Sequence, residues 1–311
     1  MGLAIAVGTT AWRWEALAPA DALCQQARIA EAMGFGSFWL PENHFGTRAA
    51  IPAPLLLLAA LAAGTQRIGL GCTSYLLPIR HPLLAAEEVA VLDQLCAGRL
   101  ILGLGRGLSG AMFKAFGVPA SDKRKLFQAS LDLMRRAWRG EPVGEDDKGA
   151  PIRLSPLPLQ QPSPPLWVAA FGPLALQQVA TLGLPYLASP VESLQALEEN
   201  YRRFNATVLA EGHAPVRTVP VMRTVFVTED NALAEQVRTA LAASPLSRRQ
   251  PLVPVDEWAV VGDRHYARDK LAEYIERLAL SHLIVRAGIP GVDERQHLRS
   301  HQLLLNAVAD L

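Results

Sequence analysis

The sequence predicts a single (β/α)8 barrel, a TIM barrel with insertions in its βα loops, spanning residues 1–311. Three observations carry this expectation. Short apolar segments of strand length alternate eight times with longer segments whose apolar residues recur at helical spacing. The short segments read as buried, which suits parallel strands covered on both faces. The length of 311 residues fits one barrel with inserts, a fold that typically runs to about 250 residues and upward. The right-handed crossover rule leaves a closed barrel or a doubly wound sheet for such a chain, and count and length favour the barrel.

Leu3 to Val7 reads as the first strand and Asp21 to Met33 as its helix, stopped by Gly34 as a C-terminal cap. Phe35 to Leu40 is the second strand. The helix Leu55 to Ala63 follows, with Pro52 and Pro54 at its start, where a missing N–H costs least. Ile68 to Leu77 is the third strand, and Leu83 to Cys96 a helix carrying Glu87, Glu88 and Asp93 on its polar side. Leu100 to Leu104 is the fourth, entered through Ala97-Gly98-Arg99 and followed by the amphipathic helix Lys123 to Trp138. Glu141 to Pro165, with seven prolines, is too irregular for a helix and reads as a long surface excursion. Leu166 to Ala170 and Leu174 to Leu182 form the fifth unit. Gly183 to Ala188, a weak strand, and Val191 to Ala210 form the sixth, and Thr218 to Val227 with Asn231 to Ala243 the seventh. A second polar, proline-containing insert, Ser244 to Trp258, reads as a covering loop. The helix Tyr266 to Leu280, the eighth strand Ser281 to Ala287 and the helix Gln296 to Leu311 close the chain.

Half of the residues are apolar and 19% are charged, which supplies a core and gives no compositional case for disorder. Thirty basic against 29 acidic residues leave a formal charge of +1, too little to hold a nucleic-acid backbone or an anionic membrane. A small, mostly apolar ligand suits this balance better. Cys24, Cys72 and Cys96 are odd in number and lack metal-like spacing, which points to a reducing cytoplasm. The N-terminus has no basic start of a secretory signal. The most apolar stretch, Leu55 to Ala63, is bounded by Pro54 and Gly64 and is too short to span a bilayer.

In a barrel the active site lies where strands end and βα loops begin. Four such junctions are chemically unusual: Pro41-Glu42-Asn43-His44-Phe45, Cys72-Thr73-Ser74-Tyr75, Gly103-Leu104-Gly105-Arg106-Gly107 and Ala170-Phe171-Gly172. The glycines around Arg106 have the look of a phosphate loop, yet they fall at every second position and no Walker lysine follows; they could equally thin a crowded strand end. His44, beside a carboxylate and a carboxamide, could serve as acid, base or hydrogen-bond donor, or be a loop histidine satisfied by Glu42 or a main-chain carbonyl. Asn43 and Glu42 could orient a substrate or the histidine. His81, before Pro82, reads as a capping or packing residue, Asp93 with Arg99 as a scaffold ion pair, and Cys72 and Cys96 as packing residues. There is no His-Glu-x-x-His, no Gly-x-Ser-x-Gly and no Cys-x-x-Cys. Chemistry without a metal or a protein nucleophile points to an organic cofactor.

Between Arg67 and Gly117 the chain carries Leu77-Pro78-x-x-His81-Pro82, Ala86-Glu87-Glu88, Leu92-Asp93-Gln94-Leu95, Gly98-Arg99, Gly103-x-Gly105-Arg106-Gly107 and Phe116-Gly117. In this order they resemble the luciferase-like flavin-dependent oxidoreductases. Echoes at Pro41 to Phe45, Pro164 to Ala169 and Val261-Gly262 extend the resemblance over nearly the whole chain. It implies a barrel, often dimeric, that uses reduced FMN, or in one branch a deazaflavin. It implies that Arg106 holds the cofactor phosphate, and that a cis peptide at Thr73-Ser74 supports the ring system. Where relatives place hydroxyl residues after strand five, this chain has Phe171-Gly172-Pro173, leaving main-chain N–H groups as donors. Luciferases have Glu-His-His-Phe where this chain has Glu42-Asn43-His44-Phe45, and a cysteine where Gly105 stands, so light emission is not implied. The resemblance thus gives His44 and Asn43 as catalytic candidates and Thr73, Ser74, Gly105, Arg106, Phe171 and Gly172 as cofactor-binding ones. The implied activity is a two-component monooxygenation of a small organic substrate, with reduced FMN supplied by a separate reductase. Deazaflavin-dependent hydride transfer and a non-catalytic flavin-binding paralogue are the alternatives. The two inserts are candidate lids, the second the better one, and Tyr75, Phe45 and Trp12 could line the substrate side.

Overall fold

The structure is a computed structural model and describes residues 2–9, 19–45, 50–244, 247, 253–286 and 288–311. Trp12, Ala287 and most of the stretch from 245 to 252 lie outside the described residues. The chain runs β1 (Ala4–Gly8), α1 (Pro19–Met33), β2 (Ser37–Pro41), α2 (Pro54–Gly64), β3 (Gly69–Leu76), α3 (Pro82–Leu95), β4 (Leu100–Gly105), α4 (Gly110–Ala115) and α5 (Lys123–Trp138). It continues through β5 (Gly144–Glu145), β6 (Pro151–Ile152), β7 (Leu166–Ala169), α6 (Pro173–Thr181), β8 (Tyr186–Leu187), α7 (Leu194–Ala210) and β9 (Pro220–Val227). The last elements are α8 (Asn231–Ala242), α9 (Val255–Trp258), β10 (Ala259–Gly262), α10 (Arg264–Leu278), β11 (His282–Arg286) and α11 (Glu294–Ala307). The βα alternation is therefore present, with three differences from the sequence reading. The proline-rich excursion contains the antiparallel hairpin β5–β6. A short helix, α4, follows the glycine-rich junction and is capped by Ser109, whose Oγ accepts from the Met112 amide. A further strand, β10, lies just past the second insert.

Two compact units divide the chain. The first comprises Met1–Trp12, Ile29–Phe38 and Ala170–Leu311. Within it β10, β9, β11 and β1 lie side by side and parallel, with Val260 opposite Val225, Ile284 opposite Met222 and Ala6 opposite Ile284. The strand residues are apolar because helices cover them: Phe226 and Val261 pack with Ala234, Val237 and Leu241 of α8 and with Trp258. Helix starts are set by side chains that accept the otherwise orphaned first amides. Ser193, Asp230 and Asp263 cap α7, α8 and α10, and Asp293 forms a capping box with Gln296 at α11. Among the described residues one cation is fully buried here. Arg223 of β9 donates to the Tyr274 hydroxyl and to the carbonyls of Ser189, Met222 and Glu192.

The second unit comprises Arg13–Arg28 and Trp39–Ala169. Its strands β3, β4 and β7 are parallel neighbours, Cys72 pairing with Leu102 and Leu104 with Val168. Its centre is a stack of two indoles, Trp39 on β2 and Trp167 on β7, with ring centroids 5.0 Å apart and planes inclined by 20°. The stack requires missing side chains beside it. A Cβ on Gly71 would lie 2.5 Å from the Trp39 ring, and one on Gly103 would lie 2.1 Å from the Cys72 carbonyl oxygen. Helix α3 is docked on α5 through Trp138, whose indole N–H donates to the Ala86 carbonyl.

Two expectations about α3 are corrected. Asp93, fully buried, does not pair with Arg99. It accepts instead from the main-chain and side-chain N–H groups of Gln160, both at 2.7 Å, and so ties the proline-rich passage to the helix. Arg99 spends its donors on the Cys96, Ile68, Ala62 and Thr65 carbonyls and the Thr65 hydroxyl. A guanidinium that satisfies this many carbonyls where α2 and α3 end needs no carboxylate. His81 occupies the N-cap position of α3 but its side chain makes no capping bond; only its carbonyl is used, by Ala85.

Candidate active site

The loop after β2 is built around a carboxylate. Glu42 follows Pro41 directly and its side chain is fully buried. One of its oxygens, Oε1, receives His44 Nε2 at 2.7 Å and Arg80 Nη1 at 2.8 Å; the other, Oε2, accepts from the Leu76 amide at 3.0 Å. Burial of a charge is tolerated when it is paired and hydrogen-bonded, and all three donors meet that need. Arg80 is itself held by the Leu76 carbonyl at 2.8 Å and lies 4.0 Å from the centre of the Tyr75 ring. The Tyr75 hydroxyl donates to Glu88 at 2.7 Å, and burial first of all pushes its ionisation well above the usual phenol range. Tyr75 is therefore committed to this network and buried, not free to line a substrate surface.

Asn43 faces solvent and is tied to the chain on the far side of the loop. Its carboxamide oxygen accepts the Ile51 amide at 2.6 Å and its own amide donates to the Ile51 carbonyl. This pairing closes the loop. His44 lies next to it, edge-on to Phe116 at 5.1 Å and tilted against Phe45 at 6.0 Å. Phe45 has a positive φ of 58° and is 61% exposed, and with Phe116 it leaves apolar surface beside the imidazole. Large exposed apolar side chains gathered at one place commonly mark a binding surface.

The ends of β3 and β4 meet beside this loop. The Thr73–Ser74 peptide is cis, as the resemblance implies. Gly105 of β4 lies against it: a Cβ there would stand 2.0 Å from Ser74 Oγ and 2.9 Å from Ser74 Cβ. Cys72, one residue before the cis bond, is fully buried, and its thiol is pushed up to about 12, first by burial and then by the negative charge of Glu42. Such a thiol stays protonated and packs as an apolar group.

Arg106 follows Gly105 on the opposite face of the strand. It is buried, its Nη2 donates to the Ala169 carbonyl at 2.5 Å, and its guanidinium lies 5.2 Å from the Phe127 ring of α5. Its ionisation is lowered to about 10, chiefly by burial and further by the like charge of Arg124. A buried guanidinium at a strand end complements an anion, and in that respect Arg106 fits a flavin phosphate. Phe171 and Gly172 belong to the other unit. Phe171 is half exposed, and Gly172, at φ 83°, stands before α6, whose first amides have no side-chain cap.

The structure thus brings His44, Asn43, Thr73, Ser74, Gly105 and Arg106 into one unit. Sequence reading gave Glu42 little weight and passed over Arg80 and Arg124. Arg80 occupies an unassigned position within the Leu-Pro-x-x-His-Pro motif, and Arg124 reads as one more charge at the start of an amphipathic helix. Among the described residues there is no cluster of three or more metal-ligating side chains, and no helix is long and apolar enough to cross a membrane.

Parallel βα units with polar side chains gathered at the strand ends define a class of α/β protein, and comparison with known proteins gives the family. Residues 1–281 match the family described as luciferase-like monooxygenase, and the chain belongs to that family. A curated relative, the alkanal monooxygenase alpha chain of the Kryptophanaron alfredi symbiont, is 28% identical over 194 residues, covering 61% of this chain and 54% of the relative. The chain spans about half the length of the curated relatives it matches. Among solved structures, the oxygenating constituent of 3,6-diketocamphane monooxygenase from Pseudomonas putida, in complex with FMN, superposes with a TM-score of 0.82. It is 22% identical, over 99% of this chain and 98% of the other. An F420-dependent secondary alcohol dehydrogenase gives a TM-score of 0.78 at 18% identity over the whole of both chains. At these identities the two structures show a shared fold.

Proposed function

We propose that this chain is the oxygenase component of a two-component flavin monooxygenase, binding reduced FMN from a separate reductase and oxidising a small, mostly apolar organic substrate with oxygen. The observation that carries this reading is the buried Arg106 at the end of β4, its guanidinium given to the Ala169 carbonyl and lying 5.2 Å from the Phe127 ring. Arg106 and Arg124 would hold the cofactor phosphate, and Thr73, Ser74 and Gly105 would form part of the cofactor's binding surface. In the other unit the first amides of α6, after Phe171 and Gly172, are anion donors of their own. The bound reduced flavin supplies the electrons that activate oxygen. His44 holds or returns a proton at the ring nitrogen that Glu42 does not occupy, and Asn43 shapes the loop that carries it. Phe45 and Phe116 exclude water and receive the apolar substrate. A closed (β/α)8 barrel, a cytoplasmic location and a homodimer belong to the same reading. Leu84, Val91 and Leu95 along α3, with Leu56 on α2, present an exposed apolar stripe that supports the dimer.

The fold shared with an F420-dependent enzyme keeps a deazaflavin as the second reading. One titration separates the two. Reduced FMN, a reduced deazaflavin and reduced riboflavin are titrated anaerobically into the wild-type protein and into Arg106→Ala. Losing a charge-assisted phosphate grip costs about 2 kcal/mol, roughly 30-fold in FMN affinity, while riboflavin, lacking the phosphate, binds both proteins alike. Tight deazaflavin binding without FMN binding selects the second reading. Equal weakening of FMN and riboflavin removes Arg106 from the phosphate site. Substrate-dependent oxygen consumption with reduced FMN distinguishes an oxygenase from a protein that only binds flavin.

A further inference from the structure

The buried carboxylate beside His44 invites a question that flavin binding does not answer, namely which atom of the imidazole handles the proton. Glu42 is immobilised from three directions. The Leu76 amide holds Oε2, Arg80 holds Oε1, and Arg80 is in turn held by the Leu76 carbonyl and the face of Tyr75, whose hydroxyl is bound to Glu88. His44 Nε2 is the third donor to Glu42. The loop beneath it is closed by the two Asn43–Ile51 hydrogen bonds, and the ring is braced by Phe116 and Phe45. Among the described residues, Nδ1 of His44 has no partner.

From this geometry we propose that Glu42 is the positioning residue of His44: it holds the proton on Nε2 and so delivers Nδ1 as the atom that accepts and returns protons. A carboxylate that binds one ring nitrogen fixes both tautomer and ring orientation. Because Arg80 shares the same carboxylate oxygen, the charge of Glu42 is divided between a guanidinium and an imidazole, which leaves the proton on the ring. Among the described residues, the charged and titratable groups that bear on His44 are Glu42 directly and, through Glu42, Arg80 and the Cys72 thiol, and the rings of Phe45 and Phe116 lie against it. The assignment of His44 to proton handling rests on the function proposed above. The tautomer does not.

The test uses the full chain labelled with 15N-histidine. Long-range 1H–15N correlations assign the His44 nitrogens through the spectrum lost in His44→Asn, and report which nitrogen carries the proton. The neutral form is expected as the Nε2–H tautomer in the wild type. In Glu42→Gln the side chain can turn either its oxygen or its N–H to Nε2, so the preference for one tautomer is lost and the Nδ1–H form becomes populated. Glu42→Asp keeps a carboxylate and retains part of that preference. An Nδ1–H tautomer in the wild type overturns the proposal without any variant, as does an unchanged tautomer preference in a folded Glu42→Gln. If the flavin reading fails while the Nε2–H tautomer is found, the positioning stands and the proton chemistry assigned to it falls. Flavin-dependent turnover together with an Nδ1–H tautomer leaves the proposed function standing and overturns the positioning.

Discussion

Replacing Gly105 with alanine adds one carbon atom to the end of β4, and the structure states what that atom meets. The new Cβ would stand 2.0 Å from Ser74 Oγ, 2.9 Å from Ser74 Cβ and 3.0 Å from a Leu76 methyl. The hydroxyl could rotate away, but the Cβ of Ser74 moves only with its backbone. Overpacking of this kind costs about 1 to 3 kcal/mol; with a carbon–carbon approach of 2.9 Å left after any rotation, the upper half of that range is expected. The loss should be coupled to Ser74. In a Ser74→Gly background both close atoms of that residue are absent, and the cost of Gly105→Ala should fall by at least about 1 kcal/mol, within the range seen for directly contacting pairs. Gly103→Ala provides the contrast. Its Cβ would lie 2.1 Å from a main-chain carbonyl, that of Cys72, so truncating side chains should not restore it. Urea unfolding of the four proteins in the cycle, followed by tryptophan fluorescence from the buried Trp39 and Trp167, measures the coupling. An equal loss in both Ser74 backgrounds, or a neutral Gly105→Ala, would refute the steric account of this glycine.

Stability should fall with acid because of α11. His297 and His301 are buried one turn apart, and burial lowers both, His301 to about 4 with a further contribution from His297. An unfolded histidine titrates near 6.5, so between about 6.5 and 4 the unfolded chain binds more protons, and stability drops as pH falls, by about 3 kcal/mol for His301 over the whole window. His301→Phe should flatten the chemical-denaturation midpoint across that window; an unchanged slope would count against the buried neutral imidazole. Asp93→Ala removes the acceptor of two hydrogen bonds from Gln160 in a buried place and should cost about 2 to 4 kcal/mol, together with faster proteolysis within residues 141–165. Asp93→Asn, which keeps one acceptor oxygen, should lose less.

How far these features could be read beforehand depended on whether their cause was local. Parallel strands covered on both faces leave apolar runs, so β1, β3, β4 and β9 were legible, and the helices between them announced themselves by spacing and by caps such as Asp293. Strand β10 has only four residues and follows an irregular insert, and β8 is reduced to Tyr186 and Leu187. Segments this short carry no period. Arg106 and His44 stood out because strand ends are where polar residues need a reason. Their partners did not. Leu76 lies 34 residues after Glu42, and Gln160 lies 67 residues after Asp93, and no spacing rule reaches so far. The expected Asp93–Arg99 pair illustrates the reverse error, since nearness in sequence favoured a partner that the fold assigns elsewhere.

The glycine-rich junction shows how one short motif can satisfy two readings that looked exclusive. Successive residues of a strand point to opposite faces. Gly103 and Gly105 therefore share one face, where the space a Cβ would need is taken by the Cys72 carbonyl, the Trp39 ring and Ser74. Arg106 points to the other, onto Phe127, the Ala169 carbonyl and the field of Arg124. The glycines are thus explained by packing alone and need not cradle a phosphate, while the arginine keeps its place in the proposed anion site. This division also accounts for the departure at Gly105, where luciferases have cysteine. With serine at position 74 and its hydroxyl directed at β4, there is no room for a side chain at 105, so the two positions have to vary together. A larger residue at 105 then requires a smaller one at 74, whatever cofactor the site holds.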